Sequence, residues 1–173
     1  VLTALAEPLR AVAVPAAPTP DGCESALWSM ILTLWDQDVS VWWPGADEDL
    51  WYNLLFHTRV QRAAGPDTAD WLVLDAEDER SAEWLSSVRT GSDERPDQSA
   101  SVIFRVGSSR SPVVGSGPGL PHPAEILLPL PAALVECLQH NQARYPLGFD
   151  SYLVQPTSVM GIPRSTQLQW GEH

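Results

Sequence analysis

The sequence predicts a single-domain α/β fold built on a mixed β-sheet. Patterns typical of strands and helices alternate in the first half of the chain, and strand patterns dominate the second half. Near the carboxyl terminus, two strand patterns are separated only by Pro156 and Thr157, a connection too short to join parallel strands. The sheet must therefore contain antiparallel as well as parallel strands.

The size of the chain suits one hydrophobic core. It has 173 residues, of which 44% are hydrophobic and eight are tryptophan, so we expect one domain over residues 1–173. Leu2, Leu5 and Ala6 have the spacing of the last turns of an amphipathic helix, and the chain lacks an initiator Met. We therefore expect a short segment to be missing before Val1.

In the first half, apolar spacing and turn residues fix most of the predicted elements. Asp21 and Glu24 have the spacing of a capping box ahead of the first long helix, and Asp47 is placed to cap the second. The predicted elements are a strand over 10–14, a helix over 23–36, a strand over 39–43, the helix after Asp47, a strand over 71–75 and a helix over 77–88.

The second half begins with a polar loop over 89–99 and continues with strands. We expect a short strand over 113–116 to pair with a strand over 100–106 through a serine-rich turn. A helix follows Pro131 and ends near Arg144. The remaining predicted elements are a hairpin of strands 150–154 and 158–162 and a last strand over 167–170.

The composition excludes several classes of protein. All ten cationic residues are arginine, against 22 acidic residues, giving a net charge of −12. Without lysine, the chain cannot form a Schiff base, a P-loop or a protein-kinase site. The acidity argues against nucleic-acid binding, and the longest apolar stretch is too short to span a membrane. No signal peptide is visible, so we expect a cytoplasmic protein.

Two candidate site residues have alternative interpretations. His57 lies at the end of a predicted helix, where its cationic form suits the helix dipole, or it acts in acid–base chemistry. Asp93 belongs to an acidic loop that is either a solvated turn or a functional loop. The four histidines lack the spacing of metal ligands, so we expect no metal site.

The other candidates lie next to the ends of two predicted strands. Asp150 precedes a strand and either caps a turn or projects into a cleft. Arg164, with Ser165 and Thr166 beside it, follows the end of a strand and could hold a carboxylate or a phosphate. From these residues alone, no recognisable catalytic set emerges.

Seven short motifs follow one another along the chain. They are Glu7-Pro8, Leu32-Thr33-Leu34 with Asp36, Phe56-His57-Thr58, Gly91-Ser92-Asp93-Glu94 with Pro96-Asp97 and Ser99-Ala100, Gly117-Pro118-Gly119-Leu120, Tyr145-Pro146-Leu147-Gly148-Phe149-Asp150 and Ile162-Pro163-Arg164-Ser165-Thr166. In this order and spacing, the chain resembles the PhnH family from about Leu2 to Gln169. Members of this family are the H subunit of the bacterial carbon–phosphorus lyase core complex.

The resemblance implies a central mixed sheet flanked by helices on both faces, related to the fold of PLP-dependent transferases but without PLP or another cofactor. It also implies a homodimer in a complex with the G, I and J subunits. With the G, I and L subunits, the H subunit is required to form ribose 1-alkylphosphonate 5-triphosphate from ATP and an alkylphosphonate, with release of adenine. We expect no activity from this subunit alone.

Two alternatives to an assembly subunit stay open, and one residue departs from the family pattern. The subunit could contribute His57, Asp150 and Arg164 to ribosyl transfer, or it could be a ligand-binding or sensor module that uses a relic cofactor cleft. Convergence of the three residues in one cleft would favour either alternative over an assembly subunit. Leu9 stands where the family usually has glycine, so we expect the turn after Glu7-Pro8 to differ.

Overall fold

The structure, a computed structural model, describes residues 1–171, which form ten β-strands and five α-helices. The helices are α1 (Leu2–Ala6), α2 (Ser25–Leu34), α3 (Glu48–Thr58), α4 (Ser81–Leu85) and α5 (Ala132–Gln142). The strands are β1 (Ala11–Ala13), β2 (Ser40–Trp42), β3 (Gln61–Arg62), β4 (Trp71–Asp75), β5 (Ser101–Arg105), β6 (Ser111–Ser116), β7 (Ala124–Leu128), β8 (Asp150–Gln155), β9 (Ser158–Ile162) and β10 (Gln167–Trp170). A 3₁₀-helix covers Pro96–Gln98.

Seven of these strands form one mixed sheet in the order β1-β9-β8-β5-β4-β2-β3. The five strands from β8 to β3 are parallel, and β9 and β1 are antiparallel to their neighbours. The predicted C-terminal hairpin is confirmed as β8 and β9, whose register pairs Gln155 with Ser158 and Ser151 with Ile162. The mixed sheet of the predicted fold class is therefore confirmed.

Helices cover both faces of this sheet, as expected. Helices α1, α2 and α3 bury Ala4, Ile31 and Leu54 against one face. Helices α4 and α5 bury Leu85 and Val135 against the other. That second face is also covered by a three-stranded sheet in the order β10-β6-β7, which the sequence did not predict. The relation to the fold of PLP-dependent transferases stays a prediction.

The expected pairing of residues 113–116 with strand 100–106 is wrong. Strand β6 pairs antiparallel with β7 and β10 instead. The turn after β5 is held by Glu77, whose carboxylate accepts hydrogen bonds from the backbone N–H and the hydroxyl of Ser109, at 2.9 and 2.8 Å. After this turn, the chain leaves the large sheet and enters the three-stranded sheet.

Two predicted helix starts have different outcomes. Asp47 caps α3 as predicted, because its carboxylate accepts from the N–H of Leu50 at 2.8 Å. The capping box of Asp21 and Glu24 is wrong, since α2 begins after Glu24 without a side-chain cap. The Glu24 carboxylate binds the guanidinium of Arg105 instead.

The helix predicted over 77–88 is much shorter in the structure, where α4 begins only at Ser81. Two aspartates stabilise turns ahead of it. Asp75 accepts from the N–H of Glu77, and Asp78 accepts from the N–H of Arg80, each at 2.9 Å. Such local hydrogen bonds compete with helix formation.

Leu9 adopts the left-handed conformation that glycine takes without strain, with φ of 64°. Its N–H donates to the carbonyl of Gly161 at 3.1 Å, and its side chain is buried in the core. A Cβ built on Gly115 would lie 1.9 Å from the Leu9 side chain, so that glycine leaves room for it. Burial of the leucine side chain thus offsets backbone strain at this turn.

We predict opposite effects of glycine at the two non-glycine positions with positive φ among residues 1–171. Leu9→Gly should lower the free energy of unfolding by about 1–3 kcal/mol, because the lost burial exceeds the relieved strain. Arg59, also at positive φ but exposed after α3, offers the matched control. Arg59→Gly should raise the stability by about 0.5 kcal/mol. Urea unfolding of both variants measures this, and a stabilising Leu9→Gly would contradict the burial argument.

Candidate functional site

Asp150 and Arg164 form an ion pair across the ends of the β8–β9 hairpin. The hairpin register places the start of β8 opposite the residues that follow β9. Arg164 donates from Nε and Nη2 to the two carboxylate oxygens of Asp150, at 3.2 and 3.0 Å. Its backbone N–H donates to the same carboxylate at 2.9 Å. Asp150 therefore caps the turn and also orients the guanidinium.

The same guanidinium binds the loop that precedes β5. Nη1 of Arg164 donates to the carbonyl of Pro96 at 3.2 Å, and Nη2 donates to the hydroxyl of Ser99 at 2.5 Å. The side chains of Arg164 and Asp150 are only 16% and 27% exposed. Four of the five N–H groups of the guanidinium are bound to protein groups, which leaves one N–H of Nη1 for an incoming phosphate.

The neighbouring candidates support this turn rather than an open site. The N–H of Thr166 donates to the carbonyl of Pro163 at 2.9 Å and closes the turn. The hydroxyl of Thr166 is buried without a partner in the part of the chain that the structure describes. Ser165 is half-buried, and Asp93 is exposed in the loop before the 3₁₀-helix.

His57 lies apart from the ion pair, on the exposed side of the last turn of α3. Its ring contacts the rings of Trp28 and Phe56 edge-to-face, with centroids 5.5 and 5.0 Å apart. Within residues 1–171, it makes no hydrogen bond to Asp150 or Arg164. The structure brings together two of the three residues considered for ribosyl transfer and leaves the third elsewhere.

Sequence reasoning missed the groups that complete the environment of Arg164. The pairing of Asp150 with Arg164 could have been found by counting residues back from the predicted hairpin turn. The carbonyl of Pro96 and the hydroxyl of Ser99 have no such signal, because a loop of irregular shape brings them to the guanidinium.

A second ion pair holds the beginning of the same loop. Asp70 accepts from the backbone N–H of Ser40 at 2.8 Å, from the Ser40 hydroxyl at 2.6 Å, and from the guanidinium of Arg89. Burial acts to raise the pKa of Asp70, but these hydrogen bonds outweigh it and lower the pKa below its ordinary value of 3.8. Asp70 thus ties β2 to the residues that lead into the loop.

Residues 1–171 contain no cluster of three or more histidine, cysteine or acidic side chains that could hold a metal ion. Over the same residues, no helix has the length and apolar character needed to cross a membrane.

The comparisons with known proteins agree with the resemblance carried by the motifs. A family model described as "Bacterial phosphonate metabolism protein (PhnH)" matches residues 1–169. This chain belongs to the PhnH family. A relative from Rhizobium meliloti (strain 1021) is 28% identical over 169 residues, covering 93% of this chain and 80% of the relative. That relative is named alpha-D-ribose 1-methylphosphonate 5-triphosphate synthase subunit PhnH.

Several of the family motifs contact one another in the structure of this PhnH-family chain. A Cβ on Gly117 would lie 2.9 Å from the carbonyl oxygen of Ser165, and a Cβ on Gly119 would lie 2.6 Å from that of Ala6. The N–H of Gly148 donates to the carbonyl of Thr90 at 2.9 Å. The motifs are therefore linked by backbone contacts around the Arg164 turn, which is a structural role.

We predict that Arg164→Lys lowers the free energy of unfolding by about 2 kcal/mol. A lysine ammonium cannot make the two-point contact with Asp150 and bind the loop at the same time. Amide hydrogen exchange should accelerate over residues 92–99. Arg95→Lys, in the same loop and exposed, is the matched control and should change neither quantity. Unchanged exchange in Arg164→Lys would show that the guanidinium does not hold the loop.

We also predict a pH dependence that comes from Asp70. Because its pKa is lower in the folded than in the unfolded chain, the carboxylate stabilises the fold above its ordinary pKa. This contribution is lost as pH falls through the lower folded-state pKa. Asp70→Asn should therefore destabilise the chain at pH 6, and the difference from wild type should shrink below about pH 4. Chemical unfolding between pH 3 and 7 measures it.

The control for this pH dependence is Asp67→Asn, which changes an exposed carboxylate in the same connection. It should follow the wild-type stability curve. A constant difference between Asp70→Asn and wild type across the whole range would contradict the assignment to this carboxylate.

Proposed function

We propose that this chain is an assembly subunit of a ribose 1-methylphosphonate 5-triphosphate synthase in phosphonate metabolism. The name of the relative supports the reaction, and family membership supports the pathway. The observation that carries the subunit role is an exposed aromatic face on α3. In this proposal the chain acts with partner subunits and has no activity alone.

The α3 face consists of Tyr52, Leu55 and Phe56. These residues have the i, i+3, i+4 spacing that places side chains on one side of a helix. Tyr52 and Phe56 are 70% and 71% exposed, and their rings stack with centroids 6.5 Å apart. Leu55 is 49% exposed. Clustered aromatic side chains in water are typical of surfaces that bind another protein.

Charge favours a partner of opposite sign. The chain carries a net charge of −12, and Asp47, Glu48 and Asp49 lie at the start of the helix that bears the α3 face. A partner surface that is apolar with a basic rim would complement this face. We propose the G, I and J subunits of the complex as partners, with the chain present as a homodimer in the cytoplasm.

The hydrogen bonds of Arg164 to other groups of the protein favour the assembly role over a catalytic one. A group that stabilises a transition state must be able to reach the reacting atoms. Arg164 and Asp150 are bound to each other and to the loop, and His57 is not with them. In this proposal ribosyl transfer, with formation of the alkylphosphonate product and release of adenine, takes place on partner subunits such as G, I and L.

The test is rescue of growth on methylphosphonate as the only phosphorus source, in a strain that lacks its H subunit but keeps the other subunits. The wild-type chain should restore growth and co-purify with G, I and J. The double variant Tyr52→Ser/Phe56→Ser should lose both, because the α3 face can no longer bury apolar area. Its folding is checked by thermal unfolding of the purified chain.

The control is Leu2→Ser, which removes an apolar side chain that is 84% exposed outside the α3 face and should preserve growth and co-purification. Failure of the wild-type chain to co-purify with any subunit would contradict the assembly role. Growth lost in Arg164→Lys while assembly and folding stay intact would contradict the non-catalytic assignment. Light scattering of the purified chain tests the homodimer.

A further inference from the structure

The parallel part of the large sheet contains a topological switch point between β2 and β4. These strands are neighbours, but the chain leaves them toward opposite faces. Helix α3 follows β2 and packs Trp51 and Leu54 into the cluster on one face, whereas α4 follows β4 and packs Leu85 into the cluster on the other. In open α/β sheets, ligands bind at the carboxyl ends of the strands beside such a point.

A cavity of about 450 Å³ lies there. Its walls come from the carboxyl ends of three parallel strands: Trp43 follows β2, Asp75 ends β4 and Arg105 ends β5. Arg80, which precedes α4, and Trp84, which lies within it, complete the cavity. The volume lies in the range of sites for small molecules. None of these residues belongs to the Arg164–Asp150 pair or to the α3 face.

The charged groups of the cavity disfavour an anionic ligand. Asp75, Glu77 and Asp78 line it against two arginines, and both guanidinium groups already bind carboxylates. Arg80 binds Asp78 at 2.7 Å, and Arg105 binds Glu24 at 2.8 Å. A phosphate would meet more negative than positive charge, so a neutral ligand fits this cavity better.

Two polar groups of the cavity at the ends of β4 and β5 still have hydrogen-bonding capacity. Oδ1 of Asp75 accepts from the N–H of Glu77, and Nε and Nη2 of Arg105 donate to Glu24. Among the described residues, neither Oδ2 of Asp75 nor Nη1 of Arg105 has a hydrogen-bond partner. The cavity thus offers one acceptor and one donor group at the ends of adjacent strands.

The apolar wall of the cavity consists of indoles held in place by their neighbours. Trp43 is 3% exposed, and the Arg105 guanidinium lies 5.8 Å from the centre of its ring. Trp84 is half-buried, packs edge-to-face on Trp42 with centroids 5.0 Å apart, and has the Arg80 guanidinium 4.9 Å from the centre of its ring. The exposed part of Trp84 and the planar guanidinium on it provide a surface that a sugar ring or a base can cover.

We propose that this cavity binds a neutral ligand with a vicinal diol, either a free pentose or the ribose of a nucleoside. One hydroxyl donates to Oδ2 of Asp75, and the other accepts from Nη1 of Arg105. The apolar side of the sugar or the base packs against Trp84 and the Arg80 guanidinium that lies over its ring. This inference does not rest on the proposed assembly role, and the purified chain alone is sufficient to test it.

The experiment is saturation-transfer NMR with calorimetric titration of the full chain. The probes are ribose, 2-deoxyribose, uridine, adenosine and ribose 5-phosphate. Ribose or the nucleosides should show saturation of their sugar protons, and the comparison between them identifies the source of the diol. The deoxy sugar should bind about tenfold more weakly than ribose, because a hydrogen bond to a charged group is lost. Ribose 5-phosphate should bind no better than ribose.

Asp75→Asn should weaken binding by about tenfold or more. Asp93→Asn, an exposed carboxylate outside the cavity, is the matched control and should leave the affinity unchanged. If Asp75→Asn does not fold by thermal unfolding, Trp84→Leu replaces it, with the same expected weakening. No saturation of any neutral probe, unchanged affinity in the folded variant, or clear preference for ribose 5-phosphate would each overturn the proposal.

Discussion

The guanidinium of Arg164 joins parts of the chain that are distant in sequence. It connects the end of β9 to the start of β8 through Asp150, and it connects both to the loop that contains Pro96 and Ser99. A partly buried ion pair is favourable only when its remaining donors and acceptors are satisfied. Here both carboxylate oxygens and all three guanidinium nitrogens have partners, so the pair fixes the loop without leaving an uncompensated charge.

The backbone packs closely around the turn that carries Arg164. Gly117 approaches the backbone of Ser165 so closely that a side chain would clash, and Gly119 approaches Ala6 in the same way. Leu9 occupies a strained conformation beside them because its side chain fills core space next to Gly115. Several of the motifs that carry the family resemblance therefore pack against one another, although each is a weak signal by itself.

Local chemistry explains which features the sequence predicted. The β8–β9 hairpin follows from a two-residue turn, and the cap of α3 follows from Asp47. By contrast, the exposed two-residue strand β3 and the pairing of β6 in a second sheet depend on tertiary contacts. Glu24 failed as a capping residue because Arg105, 81 positions away, binds its carboxylate. Asp150 and Arg164 were found as candidates, but their shared structural role required the loop geometry.

The two ends of the parallel sheet differ in whether their polar groups have all their hydrogen-bond partners within the protein. At the amino ends, Asp70 and Asp150 are bound by arginines and backbone N–H groups that fix the loop before β5. At the carboxyl ends, Asp75 and Arg105 border a cavity beside the switch point and keep hydrogen-bonding capacity within the described residues. A fold gains stability from the first arrangement, whereas a ligand requires the second. Any small-molecule chemistry of this chain is therefore expected at the carboxyl ends, even though several of the family motifs meet around Arg164.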